Sequence, residues 1–433
     1  MSSPTWSVYE GGWGEVSEDN NDSLPPELSL KGCGLRRVSL LQRGAQGAVY
    51  IAEDANNQLF AVKRLFTQRS DFGIRGISEN ALREVTLLSL IAKKSLRNDD
   101  DDDDVKREFG IVHLYKVVEA PYHELCLVME MCPLDLSQIV IQKKRKLHST
   151  RLLSTDSSIR CPILANVNVI QYLMRGILHI LKYLHDDCHI IHRDVKLSNF
   201  LLHEDGRIRL TDFGSARLMH DEEELSSNPS SGEYTPSAIR TTIIYEAPEC
   251  LLGNRVYTSA IDIWAAGVVF AELVLQQHLF KSRSELAVLS DIWKLLGTPP
   301  DDPSTTNTNT TNGSSNNSES SVTYLVRTEP TLSTKFPENI LPAEGLDLLQ
   351  RMLELDPKKR ITASAALSHP FLNSTHNNCE EGRRLWQTKS QTSAQEVEKT
   401  VTVGMQALCM PDDSFNENED DSEQNEEDHY RFF

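Results

Sequence analysis

From Arg36 to Lys63 apolar and polar residues alternate, with glycine interruptions, and the pattern predicts a small antiparallel sheet. At Ser78–Ala92 the spacing changes. Ala81, Val85, Leu88 and Ile91/Ala92 fall on one face of a helix. Leu125–Met131 predicts another strand. Ile170, Leu173, Met174, Ile177, Leu181 and Leu184 recur at helical spacing and predict a long amphipathic helix. Ser259–Gln276 is apolar throughout and predicts a buried helix, and Leu341–Leu372 returns to helical patterning. The predicted folded region is therefore 36–373.

Polar segments interrupt and flank this pattern. Residues 1–35, rich in Ser, Gly, Asn and acids, predict a disordered tail, although Trp6, Tyr9 and Trp13 form a candidate docking motif. An acidic loop is predicted at 98–105, and a Ser/Thr/Asn-rich insert at 301–322 has too few apolar residues to bury a core. Residues 374–433 predict a disordered acidic tail. Of the net charge of −19, the six acids of Asp99–Asp104 and the ten acids and one arginine of Asp412–Phe433 account for all but about −4. The acidity therefore belongs to appendages, which read as solvated segments. Lys143-Lys144-Arg145-Lys146 fits a nuclear-localisation signal or a solvated loop equally.

At 39% hydrophobic and 25% charged residues, the balance is that of a soluble globular protein. The eight cysteines show no CxxC pair and read as reduced thiols, as in the cytosol or nucleus. No signal peptide is visible at the start. The longest apolar stretch, Ile261–Leu275, is short for a bilayer and carries Asp262 and Glu272. No membrane or nucleic-acid partner is expected.

The candidate chemistry lies in five segments. His192-Arg193-Asp194-Val195-Lys196-Leu197-Ser198-Asn199 is followed by Asp212-Phe213-Gly214, thirteen residues past Asn199, with a short hairpin predicted at Phe200–Leu210. Upstream lie Phe60-Ala61-Val62-Lys63 and Ser78-Glu79-Asn80-Ala81-Leu82-Arg83-Glu84. Leu41 to Val49 carries Gly44 and Gly47, which let a backbone approach phosphate closely. Phosphoryl transfer needs held phosphates, metal to neutralise charge and an oriented hydroxyl, and these segments supply such groups in order.

The segments resemble those of eukaryotic protein kinases. The resemblance implies an α+β, two-lobed kinase fold with a small mostly-β N-lobe and a larger mostly-α C-lobe, and an ATP-dependent serine/threonine protein kinase acting with ATP and Mg²⁺. By it, Asp194 orients and deprotonates the substrate hydroxyl, and Lys196 faces the γ-phosphate. Lys63 contacts the α/β-phosphates and pairs with Glu84. Asn199 and Asp212 hold magnesium, for which their oxygens are suitable hard ligands. Gln42 stands where the family's first loop glycine would be. Glu249 and Arg360 resemble the buried structural ion pair, and Asp262-Ile263-Trp264-Ala265-Ala266-Gly267 the anchor helix of the large lobe.

Within the kinases, Gly76-Ile77-Ser78 with Ala81-Leu82-Arg83-Glu84, Pro133-Leu134-Asp135-Leu136, Leu296-Gly297-Thr298-Pro299 and Ser368-His369-Pro370-Phe371 are similar to cyclin-dependent kinases. That resemblance implies hinge contacts to adenine from Glu130, Met131 and Cys132, Met129 as gatekeeper and a ribose contact from Asp135. Leu41, Val49, Ala61 and Leu201 complete the implied nucleotide pocket. Arg83, Arg193 and Arg217 are expected to converge on a phosphate at Ser237 or Thr235. Partners implied are protein substrates and a cyclin or cyclin-like subunit, in cell-cycle or transcription control, in the nucleus and/or cytoplasm. Two departures matter. Ala45-Gln46 replaces the Thr-Tyr pair that inhibitory kinases phosphorylate, and Glu246 replaces the arginine that helps select proline after the target. Alternatives are a pseudokinase scaffold, or a cyclin-independent kinase that activates cyclin-dependent kinases.

Overall fold

The computed structural model describes residues 34–44, 47–65, 68–69, 75–95, 109–120, 124–141, 161–203, 206–219, 242–254, 258–298, 329–373, 380–389 and 391. The Asp run, the basic cluster at 143–146, Ala45-Gln46, Ser237 and Thr235, the 301–322 insert and the tails outside 34–391 lie beyond the described residues.

The alternation of the N-terminal segment becomes three antiparallel strands, β1 (Arg36–Gly44), β2 (Gly47–Glu53) and β3 (Leu59–Leu65). A two-residue ladder of β4 (Gln68–Arg69) and β5 (Arg75–Gly76) leads into helix α1 (Glu79–Ser95). Ser78 Oγ accepts from Ala81 N at 3.2 Å. Glu79 in the first turn and Lys93 and Lys94 in the last complement the helix dipole. After β6 (Phe109–Ile111), strands β7 (Leu114–Ala120) and β8 (Glu124–Glu130) complete a five-stranded sheet in the order β1-β2-β3-β8-β7.

Side chains alternate across a strand, so this sheet has two apolar faces. Cys126 and Val128 join Ala52 and Val62 on one face. Leu127 and Met129 face the other way, into the core that also holds Ala81, Leu87, Leu88 and Ile91 of α1. That core continues without a break into the second lobe, so the β-rich and helical lobes share one apolar interior.

β9 (Leu134–Asp135) leads directly into the short helix α2 (Leu136–Val140). Helix α3 (Val167–Lys182), capped by Asn166, runs into a π-helical turn at Tyr183–Asp187. The turn is followed by β10 (Ile190–Ile191), the predicted hairpin β11 (Phe200–Leu202) and β12 (Ile208–Leu210), and β13 (Arg217–Leu218). β6, β12, β11 and β9 form a four-stranded sheet, and β10 pairs with β13. Helix α4 (Ala260–Leu275) is buried along nearly its whole length. Helix α5 (Glu285–Leu296) packs against the short helix at Pro248–Leu251, and α6 (Ala343–Met352) comes so close to α4 that a Cβ on Gly267 would sit 2.9 Å from Leu353. No helix among the described residues is long and apolar enough to cross a membrane.

The chain thus has the two-lobed α+β kinase fold, and one expectation changes in detail. The helical patterning of Leu341–Leu372 resolves into α6 and a short helix at Ala363–Leu367, separated by the turn that carries Arg360. The predicted disordered tail from 374 is helical at 380–389, and Trp386 there is fully buried in the main core. Its indole Nε1 donates to Gly206 O at 3.2 Å, and Asn168 Nδ2 donates to Glu381 at 2.9 Å. Gly382 approaches α3 so closely that a Cβ would lie 2.2 Å from Asn168 O. A lone tryptophan among polar residues gives no periodicity, which is why the segment reads as a tail.

Candidate active site

The two lobes meet where β3, α1 and the segment after β12 converge. Register pairs Val49 with Lys63, and Lys63 with Leu127. The Lys63 ammonium leaves β3 toward α1 and meets Glu84, with Nζ at 2.7 and 2.9 Å from its carboxylate oxygens. It also donates to Asp212 Oδ1 at 3.1 Å. Burial disfavours the charge on Lys63, but Glu84 and Asp212 outweigh it and hold its pKa above the ordinary lysine value. Lys63 in turn is the main cause that holds the Asp212 carboxyl below the usual aspartate range, against burial.

Asp212 adopts a left-handed backbone at φ 66°, which turns the chain between β12 and the buried Phe213. Phe213 packs edge-on against His192, with centroids 5.0 Å apart. His192 Nε2 lies 3.0 Å from Thr211 O, and Thr211 N donates to Asn199 O at 3.0 Å. These bonds tie the His192–Asn199 loop to the Asp212 turn.

Within the loop, Lys196 Nζ donates to Asp194 Oδ2 at 2.7 Å and lies 3.5 Å from Thr242 Oγ1. Asn199 Nδ2 donates to Asp194 O at 2.7 Å and to its Oδ2 at 3.1 Å. The loop is pinned from below by Asp262 of α4. Its carboxylate accepts from His192 N and Arg193 N, both at 2.8 Å, and lies 2.9 Å from His185 Nε2 on the π-helical turn. Those bonds hold Arg193 at φ 68°, a conformation a non-glycine residue adopts only when its surroundings compensate.

The donor set fits magnesium. Among the described residues no group of three or more His, Cys, Asp or Glu side chains is arranged to hold a metal. Mg²⁺ is commonly held by one or two protein oxygens together with substrate phosphates and water. Asn199 spends its amide nitrogen on Asp194, which leaves its amide oxygen for a cation. Asp212 gives one oxygen to Lys63 and keeps the other.

Among the residues expected to line a nucleotide pocket, register places Ala61 opposite the buried Met129 and Leu201 opposite Asp135. Glu130 N donates to His113 O, and Arg209 Nε reaches the Glu130 carboxylate at 2.9 Å, which fastens the hinge to β12. Cys132 is buried and Met131 half-buried, whereas Leu41 is exposed on β1. Gly44 and Gly47 face each other across the β1–β2 turn. A Cβ on Gly47 would sit 2.2 Å from Arg64 O, so this glycine also permits strand packing. Asp135 has a role the sequence did not suggest. It caps α2, with Oδ1 accepting from Gln138 N at 3.0 Å and from Ser137 Oγ.

Of the three arginines, Arg83 and Arg217 meet at the carboxylate of Glu79. Arg193 is held through its backbone by Asp262. A further network was missed. Tyr245 OH donates to Glu272 at 2.6 Å, and His278 Nδ1 lies 2.9 Å from the same carboxylate. Burial, then Glu272, pushes the Tyr245 hydroxyl pKa up, so it stays a neutral donor and anchors the segment before Glu246.

The comparisons agree with this geometry. The protein kinase domain family matches residues 35–372. The mitogen-activated protein kinase HOG1 of Exserohilum turcicum is 32% identical over 343 residues, which make up 78% of this chain and 85% of that protein. That of Colletotrichum orbiculare is 32% identical over 78% of both chains. That of Cochliobolus heterostrophus is 31% identical over 78% of this chain and 79% of its own. These relatives are MAP kinases, so the match does not single out the cyclin-dependent kinases that the motifs resemble. The family match spans most of the chain, and the fold brings Lys63, Glu84, Asp194, Lys196, Asn199 and Asp212 into one cleft: the chain belongs to the protein kinase family and is a serine/threonine kinase.

Proposed function

We propose that the chain transfers the γ-phosphate of ATP to serine or threonine of protein substrates, with Asp194 accepting the hydroxyl proton. The observation that carries this reading is the convergence of Lys63 on Glu84 and Asp212 beside the bonded trio Asp194, Lys196 and Asn199. Magnesium, when bound, neutralises phosphate charge, and Asn199 and Asp212 would hold it. Lys63 is positioned to hold the α- and β-phosphates, and Lys196 to neutralise charge beside Asp194.

Regulation and specificity follow from the same site. Contacts within the chain dock α1, since Arg83 Nη1 donates to Gly214 O at 2.9 Å and Glu84 holds Lys63. A cyclin or other regulatory subunit therefore acts on an arrangement the chain already supports. Phosphate at Ser237 or Thr235 is the proposed switch. Glu246 follows the anchored Tyr245, and an acid there lacks the donors of an arginine, so proline after the target is not required. The proposed location is nucleus and/or cytoplasm.

One assay tests the reading. Phosphorylation of a peptide library is measured with and without added cyclins, and Asp194→Asn serves as the control. Transfer to Ser/Thr peptides that is lost in Asp194→Asn is expected, without selection for proline. Absence of transfer under every condition would support the scaffold reading instead, and strong proline selection would remove the role given to Glu246.

A further inference from the structure

Helix α1 reaches the site twice, through Glu84 at Lys63 and through Arg83 at Gly214 O, and one turn earlier it carries an ion cluster that the transfer chemistry does not use. A single oxygen of Glu79, Oε1, contacts Arg83 Nη2 and lies 3.7 Å from Arg217 Nη2. Both guanidinium groups have a second tie. Arg83 Nη1 donates to Gly214 O and Asn80 Oδ1, each at 2.9 Å, and Arg217 Nη1 donates to Ala216 O at 3.3 Å. The side chains differ sharply in exposure: Arg83 13%, Arg217 25% and Glu79 82%.

Two cations drawn partly out of water on neighbouring elements repel each other, and a shared carboxylate offsets that repulsion. Arg83 belongs to α1, and Arg217 follows the Phe213–Ser215 turn into β13. A bridge between them therefore joins the helix that carries Glu84 to the segment that carries Asp212. Among the described residues joined in this cluster, Glu79 supplies one negative charge against two positive ones.

We propose that Glu79 is a positioning residue. Its carboxylate bridges Arg83 and Arg217, acts as the resident anion of this arginine pair, and holds α1 in the orientation that keeps Glu84 on Lys63. A phosphate dianion with three acceptor oxygens matches two guanidiniums better than one exposed carboxylate does. A phosphorylated residue of the chain's own activation segment therefore displaces Glu79 and reinforces a link that Glu79 already provides. This inference rests on the kinase reading for its effect on activity, but not for the link itself.

Glu79 also lies in the first turn of α1, where any acid favours the helix. The test must separate that effect from the bridge, and Arg217 allows it because Arg217 is outside the helix. Full-length protein is dephosphorylated with a Ser/Thr phosphatase and checked by intact mass. Wild type, Glu79→Gln, Arg217→Gln and the double variant are then compared by hydrogen–deuterium exchange over residues 79–95 and 213–218. Each single variant should speed exchange there by about threefold to fivefold, and the double variant no further. Phosphoryl transfer by dephosphorylated Glu79→Gln should fall about threefold to fivefold, and that of the phosphorylated form should stay within about twofold of wild type. Unchanged exchange in Glu79→Gln, or a Glu79→Gln effect of the same size in the Arg217→Gln background, would overturn the proposal. If wild type shows no transfer, the kinase reading fails and the exchange data alone decide the bridge.

Discussion

Lys63 Nζ lies 2.7 Å from one oxygen of Glu84 and 2.9 Å from the other, while Asp212 Oδ1 takes a third bond at 3.1 Å. Two carboxylates therefore share one ammonium in a largely buried place. Lys63→Met removes that charge, leaves the buried Glu84 without its counter-ion and releases Asp212 from its orientation. Transfer should drop by about 10²-fold or more, as when a preorganised charge aimed at a transition state is removed. Single-turnover transfer at saturating ATP measures this, and activity within tenfold of wild type would contradict the role given to Lys63.

Arg360 and Glu249 form a two-bond pair at 2.7 and 2.9 Å, buried on both sides. Arg360 also donates to Ala260 O and Glu354 O, each at 2.9 Å, and lies over the Trp264 ring at 5.2 Å. Arg360→Met leaves Glu249 as an uncompensated buried carboxylate and is expected to cost about 3–5 kcal/mol of stability. A urea titration that returns less than about 1 kcal/mol would show that the pair is dispensable.

Asp262 gives the fold a pH dependence. Burial opposes its charge, but the hydrogen bond and charge of His185, with His192 next, outweigh that and lower its pKa. A group depressed in the folded state stabilises the fold above its unfolded pKa, about 3.9, and loses that contribution as pH falls through the folded value. Wild type should therefore lose stability below about pH 4 more steeply than Asp262→Asn. At pH 7 the variant should be less stable by about 1–3 kcal/mol, because two loop N–H groups keep only a weaker acceptor. Urea midpoints across the pH range decide it, and parallel curves would count against the assignment.

Trp386 fills a pocket between the β11–β12 hairpin and α3. Trp386→Ala should destabilise by about 3–5 kcal/mol, the usual range for a large buried aromatic. Because the hairpin carries Leu201 and leads to Asp212, the KM for ATP should rise as well. A stable variant with an unchanged KM would mean that the helix at 380–389 is only appended.

Local features of the chain were readable, and relationships between distant positions were not. The strands around Lys63 and helix α3 followed from spacing, because each buries a face that its own period defines. The loop from His192 to Asn199 was readable because its chemistry needs particular residue types close together. The Glu79–Arg83 pair could have been found, since it stands at i and i+4 on a predicted helix. The reach of Arg217 to the same oxygen could not, because it depends on how α1 docks on the Asp212 turn. The bond from Tyr245 to Glu272 spans twenty-seven residues and requires α4 to pass beneath the segment. Asp135 was expected as a ribose contact by resemblance alone, and its capping bond was hidden by that expectation.

The position of Trp386 also bears on the order in which the protein matures. The indole seals a turn built from residues made 180 positions earlier, so the hairpin gains this neighbour only after the matched kinase domain, residues 35–372, has been made. A nascent chain that has made every catalytic residue still leaves that pocket open. Competence for nucleotide should therefore wait for Trp386, well after the His192–Asn199 loop itself is complete.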